Sequence, residues 1–132
     1  HAASTLDFEL RIAAPAEFQP NNEILAKAQG NISCTEDIQS AVDGTDMVYT
    51  DVWVSMGMES EKEERLNKLA NYQINQELLS LAKPNALVMH CLPAYRGKEI
   101  DEDTFEANAE TIFTQAENRL HTQKAILTWL VS

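Results

Sequence analysis

A histidine and a cysteine stand directly after an apolar run in the second half of this chain. The run Ala86-Leu87-Val88-Met89 predicts a short buried strand, and it continues into His90-Cys91-Leu92-Pro93. The imidazole and the thiol then lie at the carboxyl edge of the strand, which is where open α/β sheets bind ligands. A cysteine can also be core filler, and this segment taken alone favours that interpretation.

A carboxylate and a hydroxyl follow another predicted strand, over residues 46–52. Asp51 lies at the end of this strand, Ser55 comes four residues later, and Gly57 permits a sharp turn of the backbone. A carboxylate and a hydroxyl on one loop could bind a cationic amine and a polar group of the same ligand. The alternative, equally compatible with these residues, is that Asp51 only caps the loop and Met56 packs in the core.

Composition excludes several classes of partner. The formal net charge of −11 would repel a phosphate backbone, so no nucleic-acid partner is expected. No apolar run approaches the length of a membrane span, and we expect no membrane partner. Cys34 and Cys91 are too few for a disulfide framework, and His1, His90 and His121 lack metal-ligand spacing. No metal or other cofactor is therefore expected.

Strand-like and helix-like stretches alternate along the chain, which is typical of a parallel sheet covered by helices on both faces. We predict an α/β fold with one doubly wound, Rossmann-like sheet. Residues 1–7 resemble the last turns of a helix, so the first β-α unit of such a fold is expected to be missing. The predicted strands cover residues 9–14, 31–34, 46–52, 86–89 and 111–114.

The predicted helices lie between these strands and at the end of the chain. Asn21 or Asn22, Thr35 and Asn75 have the side chains that cap helices, and residues 59–69 and 101–105 are predicted to be helical as well. A long terminal helix is predicted to turn one apolar face inward, formed by Leu120, Ala125, Ile126, Trp129 and Leu130.

Taken together, the two strand-end segments are far more specific than either alone. Asp-Val-Trp-Val-Ser-Met-Gly, then His-Cys-Leu-Pro-Ala-x-Arg-Gly-x-Glu-Ile, then Ala116-Glu117-Asn118-Arg119 occur in this order. This combination resembles ornithine carbamoyltransferase, and the likeness covers essentially the whole chain. It implies the second, ornithine-binding domain of that family over residues 1–132. It also implies transfer of a carbamoyl group from carbamoyl phosphate to the δ-amine of ornithine, which gives citrulline and phosphate.

The resemblance assigns the first motif to ornithine. The family's aspartate and Ser-Met pair fall on Asp51, Ser55 and Met56. Asp51 could pair with the α-ammonium of ornithine, while the δ-amine must be neutral in order to attack.

The resemblance assigns the other two motifs to the transferred group. Cys91 and Leu92 correspond to the pair where the carbamoyl group meets the amine, and Arg119 to the arginine that contacts carbamoyl phosphate. Cys91 and Arg119 are accordingly the expected catalytic residues, with His90 as possible support or simply a buried, hydrogen-bonded histidine. A Cys91 held partly as thiolate by Arg119 could orient the amine without forming a covalent acyl intermediate.

Three motifs of the complete family do not occur in these residues. They are the Ser-x-Arg-Thr and His-Pro-x-Gln segments of its carbamoyl-phosphate domain and a Gly-x-Gly-Asn-Asn turn that holds the ornithine carboxylate. The carbamoyl-phosphate domain is therefore expected to be absent, and the 132 residues alone to be nearly inert, because transfer depends on positioning.

Other functions remain open on the residues alone. The chain could be a non-catalytic amino-acid-binding module, or a carbamoyltransferase whose acceptor is putrescine, an acylated ornithine or aspartate. A nucleotide-binding oxidoreductase is disfavoured, since no Gly-x-Gly-x-x-Gly turn is present. The resemblance further implies a homotrimer and arginine metabolism, in the cytoplasm or, in a eukaryote, the mitochondrial matrix.

Overall fold

The computed structural model describes residues 1–28, 30–55, 57 and 59–132, and it has an α/β fold. The four strands are β1 (Leu10–Ala13), β2 (Ile32–Thr35), β3 (Met47–Thr50) and β4 (Leu87–His90). Short 3-10 helices cover Ala16–Phe18, Glu59–Glu61 and Ala70–Tyr72. The α-helices are α1 (Ala2–Leu6), α2 (Asn22–Lys27), α3 (Ile38–Val42), α4 (Lys62–Leu69), α5 (Gln76–Leu79), α6 (Glu102–Ala107) and α7 (Ala109–Val131).

The parallel strands predicted from the alternating pattern are present, but they do not form one continuous ladder. β1 pairs with β2 and β3 pairs with β4, each as a two-stranded parallel sheet. In each pair the chain crosses from one strand to the next through helical segments, as parallel pairing requires. The second pair ends at the segments that carry the candidate chemistry.

The main core surrounds β3 and β4. Val48 and Val88 are a registered pair on the buried face of these strands, and Ile100, Phe105 and Ile112 pack against that face with almost no exposed surface. Burying a side chain of this size contributes about 1.5–3 kcal/mol. The best-packed part of the molecule therefore supports the strands that lead into the site.

Helix capping follows the predictions at two positions and differs at a third. Asn21 and Asn75 accept hydrogen bonds from the backbone N–H groups of Glu23 and Leu78, as expected for N-caps. Thr35, predicted to cap α3, instead ends β2, and its hydroxyl accepts a bond from the N–H of Asp37.

Asp37 is the cap of α3. Its Oδ1 accepts from the N–H groups of Gln39 and Ser40, at 3.0 and 3.2 Å. The prediction for Thr35 was wrong because its hydroxyl forms a local turn with the N–H of Asp37. The carboxylate of Asp37, a stronger acceptor, then caps the helix.

The predicted strand over residues 111–114 is wrong, because these residues lie inside α7. Three of the four residues are β-branched and the fourth is aromatic, and these residue types favour strands. A helix buries the segment better: Ile112 is fully buried, and Phe113 meets the Phe105 ring edge-on with ring centroids 6.0 Å apart. Tertiary packing therefore overrides the local preference.

The predicted inward face of the terminal helix is also wrong. Side chains of the second half of α7 are largely exposed in this chain, with Trp129 at 77% and Leu130 at 65%. Only the first turns of α7 reach the core, through Ile112. Within the described ranges, no helix combines the length and the apolar character needed to cross a membrane.

Candidate functional site

The register of β3 and β4 brings the two predicted segments together. Thr50 and His90 are the last registered pair, so Asp51 and Cys91 come next on neighbouring strands. The thiol Sγ of Cys91 donates a hydrogen bond to Oδ1 of Asp51 over 3.0 Å. The parallel pairing therefore places a carboxylate and a thiol, 40 residues apart in sequence, in direct contact.

Asp51 combines exposure with an ordered orientation. Its Oδ1 also accepts from the N–H of Val52 at 2.7 Å, and the residue is exposed to solvent. Both bonds use the same oxygen, and within the described part of the chain Oδ2 has no hydrogen-bond partner. The carboxylate is thus oriented at the strand end, where it faces solvent and can pair with a cationic ligand.

The environment of Cys91 favours the neutral thiol. Partial burial raises its pKa, and the hydrogen bond to Asp51 and the charge of that carboxylate raise it further. A hydrogen bond from Tyr49 and the charge of Arg119 act in the opposite direction and are smaller. The partial thiolate considered above for Cys91 is therefore not favoured here, since burial and the carboxylate together outweigh the guanidinium.

His90 is a buried anchor of the same loop. Its Nδ1 accepts from the N–H of Leu92 at 2.9 Å, so its Nε2 carries the ring proton and donates to Oε1 of Glu99 at 3.3 Å. Glu99 is fully buried and also accepts from the N–H of Tyr95 at 2.6 Å. The imidazole thereby joins the end of β4 to the loop that follows.

This anchoring holds Leu92 in an unusual backbone conformation. Leu92 has φ of 55°, in the left-handed region that residues other than glycine rarely adopt. The bond from its N–H to the His90 ring stabilises that conformation, which turns the chain sharply at the strand end. Strained residues of this kind cluster at ligand-binding and catalytic sites.

The first half of α7 lies against the same strand ends. Gln115 and Arg119 are four residues apart and therefore share one face of the helix. Oε1 of Gln115 accepts from the N–H of His90 at 3.0 Å, and its Nε2 donates to the Tyr49 hydroxyl at 3.2 Å. Nη2 of Arg119 donates to the carbonyl oxygen of Cys91 at 3.4 Å.

The structure thus brings together Asp51, Cys91, Leu92, His90 and Arg119 among the predicted site residues. Ser55 lies beyond β3 in the following loop and is exposed. Met56, the other residue assigned to ornithine, lies outside the described residues.

Tyr49 and Gln115 belong to this site although sequence reasoning gave them no role. A signal was available for each: Tyr49 is two residues before Asp51, a spacing that puts side chains on one side of an extended chain, and Gln115 is one helical turn before Arg119. No group of three or more His, Cys, Asp or Glu side chains is arranged to hold a metal among the residues described.

Comparison with known proteins adds an independent line of evidence. The family model described as aspartate/ornithine carbamoyltransferase, Asp/Orn binding domain, matches residues 1–130. The ornithine carbamoyltransferase of Campylobacter curvus (strain 525.92) is 49% identical over 135 residues, which cover 97% of this chain and 44% of that protein. The one from Methylococcus capsulatus is 46% identical over 132 residues, covering 100% of this chain and 44% of its own length.

Solved structures give the same result. The anabolic ornithine carbamoyltransferase from Campylobacter jejuni superposes with a TM-score of 0.90 at 39% identity, covering 97% of this chain and 45% of that one. The ornithine carbamoyltransferase from Pyrococcus furiosus superposes with a TM-score of 0.84 at 38% identity, covering 96% and 42%. The chain therefore spans less than half the length of the relatives it matches.

Proposed function

Because the chain belongs to the aspartate/ornithine carbamoyltransferase family, whose Asp/Orn binding domain it matches, we propose that its site binds ornithine for carbamoyl transfer. The reaction forms a bond between the δ-nitrogen of ornithine and the carbonyl carbon of carbamoyl phosphate. Phosphate leaves with the electrons of the broken C–O bond, and the nitrogen loses a proton. The products are citrulline and phosphate.

The observation that carries this proposal is the contact between Asp51 and Cys91 at the carboxyl ends of β3 and β4, with Arg119 beside them. Asp51 offers an anchored carboxylate to the α-ammonium of ornithine, through a charge-assisted hydrogen bond. The relatives' names support ornithine as the acceptor in preference to aspartate.

Arg119 is proposed to act on the carbamoyl donor. Its planar guanidinium can bind phosphate or carbonyl oxygens, and its bond to the Cys91 carbonyl holds it at the strand ends. Positive charge placed where the carbonyl oxygen becomes negative stabilises the tetrahedral transition state. Cys91 then orients the acceptor as a neutral thiol, and the amine remains the nucleophile.

Transfer by these 132 residues alone is expected to be very slow. Asp51 and Arg119 are both exposed to solvent, and water weakens the electrostatic interactions on which such a transfer depends. The chain also spans only 44% of relatives such as the Campylobacter curvus enzyme. The homotrimer, the cytoplasmic or mitochondrial location and the role in arginine metabolism belong to the same proposal.

Calorimetric titration with ornithine tests the assignment. We expect Asp51→Asn to weaken ornithine binding by roughly tenfold or more, because a hydrogen bond to a charged group is lost. Asp46→Asn is the matched control, since Asp46 precedes β3 at its opposite end and pairs with Lys83. Equal ornithine affinity in the parent and Asp51→Asn would contradict the proposal, as would preferred binding of aspartate.

A citrulline assay tests the expectation of slow transfer separately. Incubation of the 132-residue chain with both substrates should give far less citrulline than a full-length relative at the same concentration. Equal rates would overturn that expectation and leave the ornithine assignment in place.

A further inference from the structure

We propose that Gln115 is a positioning residue for Arg119, because it fixes the first half of α7 to the ends of β3 and β4. Arg119 lies on the same helix, one turn later, so the attachment of the helix also sets where the guanidinium lies. The role of Arg119 on the carbamoyl donor rests on the proposed function, whereas the attachment of α7 does not.

Arg119 is held only weakly by its own contact. Its side chain is exposed, as is every residue from 117 to 132. Its Nη2 donates to the carbonyl oxygen of Cys91 at 3.4 Å, which is longer than the range of about 2.7–3.2 Å for N–H···O bonds. A long bond exposed to water adds little order. The position of Arg119 is therefore determined chiefly by the helix that carries it.

Gln115 is the last firm attachment of α7 before Arg119. The start of the helix is anchored by Ile112, which is fully buried in the core. Gln115 follows three residues later and is partly buried, and exposure begins after Ala116. Because Gln115 and Arg119 are four residues apart, their side chains lie on the same face of the helix.

Both ends of the Gln115 amide are engaged. Its Oε1 accepts from the backbone N–H of His90 at 3.0 Å, so its NH₂ group faces the other way and donates to the Tyr49 hydroxyl at 3.2 Å. His90 is the last residue of β4, and Tyr49 lies on β3. One side chain thus ties α7 to both strands that lead into the site.

The chemistry of the amide, and not only its volume, is needed at this position. In the described part of the chain β4 pairs with β3 alone, and backbone groups along an open strand edge need partners. An apolar side chain of the same length would fill the space but leave the N–H of His90 without this acceptor. The helix would then lose its directed contact with the strand ends.

The test is ¹⁵N relaxation at Nε of Arg119, measured in the 132-residue chain without ligand. Gln115→Met keeps the length and the helix preference of the side chain but removes both hydrogen bonds. We expect the order parameter of the Arg119 Nε–H group to fall by roughly a quarter or more, as between ordered and flexible groups. No substrate is needed, so this result does not depend on which molecule Arg119 binds.

Two further variants make the test specific. Tyr49→Phe removes one of the two partners of Gln115 and leaves its bond to the His90 N–H, so a smaller loss of order at Arg119 is expected. Gln123→Met is the matched control, because Gln123 lies one turn after Arg119 and is exposed. The same substitution there should leave the order of Arg119 unchanged.

A titration with inorganic phosphate, followed by the Nε–H signal of Arg119, links this position to the proposed function. Gln115→Met should weaken phosphate binding at Arg119 by roughly two- to tenfold, because a less ordered guanidinium must be immobilised on binding. If phosphate does not shift the Arg119 signal in the parent, the assignment of Arg119 to the carbamoyl donor is contradicted. The order parameters then still decide whether Gln115 positions the side chain.

Two outcomes would overturn the inference. One is an order parameter of Arg119 in Gln115→Met that equals that of the parent. The other is an equal loss at Arg65, which lies on α4, donates from Nε to Glu61 at 3.0 Å and stacks over the Phe18 ring. A loss at both arginines would report general loosening of the fold, since Arg65 has no contact with Gln115 among the contacts of the described residues.

Discussion

Cys91 is subject to two opposed local influences, each from a residue of the segment that contains β3. Asp51 stabilises the protonated thiol by accepting its hydrogen bond and by its negative charge, whereas Tyr49 stabilises the thiolate by donating to it. Burial, followed by Asp51, outweighs these lowering effects, so the pKa of Cys91 lies above the ordinary value. A neutral thiol suits a residue that orients an amine and does not attack a carbonyl.

Removing the charge of Asp51 should therefore activate the thiol. Asp51→Asn is expected to increase the alkylation rate of Cys91 at pH 8 by roughly threefold or more, because the pKa of the thiol falls. The gain should disappear at pH values above the thiol pKa of both proteins, where both are fully ionised. The measurement is the rate of reaction with iodoacetamide as a function of pH.

The control for this prediction is Asp46→Asn, which removes the same charge at the opposite end of β3. This variant should leave the pH profile of Cys91 alkylation unchanged. A profile that moves to higher pH in Asp51→Asn would show that the carboxylate does not hold the thiol proton.

The strands and helix starts that could be predicted are those determined by residues next to one another in the sequence. Short apolar runs bounded by turn residues predicted all four strands, and the side-chain oxygens of Asn21 and Asn75 predicted two helix starts. The prediction of a strand over residues 111–114 failed because a short stretch with two apolar residues also fits a helix that buries only Ile112. The contact of Asp51 with Cys91 was predictable in outline, from two strand ends at one sheet edge.

Other features depend on the register and on helix placement, which the sequence does not encode locally. Gln115 meets Tyr49 only because α7 lies across the ends of β3 and β4. The buried pair of His90 and Glu99 likewise forms through a turn in which Leu92 adopts a left-handed conformation. No spacing rule gives either contact.

A substitution on the exposed side of α7 tests whether residues 111–114 form a helix, as in the structure, or the strand predicted from the sequence. Thr114 is exposed, and alanine is a better helix former than threonine by about 0.5 kcal/mol. Thr114→Ala should therefore raise the free energy of unfolding by about that amount in urea titrations. If residues 111–114 formed a strand, the same change should lower it, because threonine favours strands. Any measured loss of stability would contradict the helix.

Across the whole molecule, apolar surface is distributed unevenly. The core cluster lies around β3 and β4, and Ile112 joins it from the start of α7. By contrast, large apolar side chains in the second half of the same helix are exposed, including Leu120 at 66% and Leu127 at 63%. The stability of this chain therefore depends on the first turns of α7, and its last turns contribute little to it.

Two alanine substitutions in α7 test whether its first turns stabilise the fold more than its last turns do. Ile112→Ala removes a fully buried side chain and is expected to cost about 2–5 kcal/mol, from lost burial and the cavity left behind. Leu127→Ala removes an exposed one and should change the free energy of unfolding by less than about 0.5 kcal/mol. Both values come from urea unfolding of the 132-residue chain followed by circular dichroism. A loss at Leu127 as large as that at Ile112 would mean that the end of α7 packs against the core, and the division would not hold.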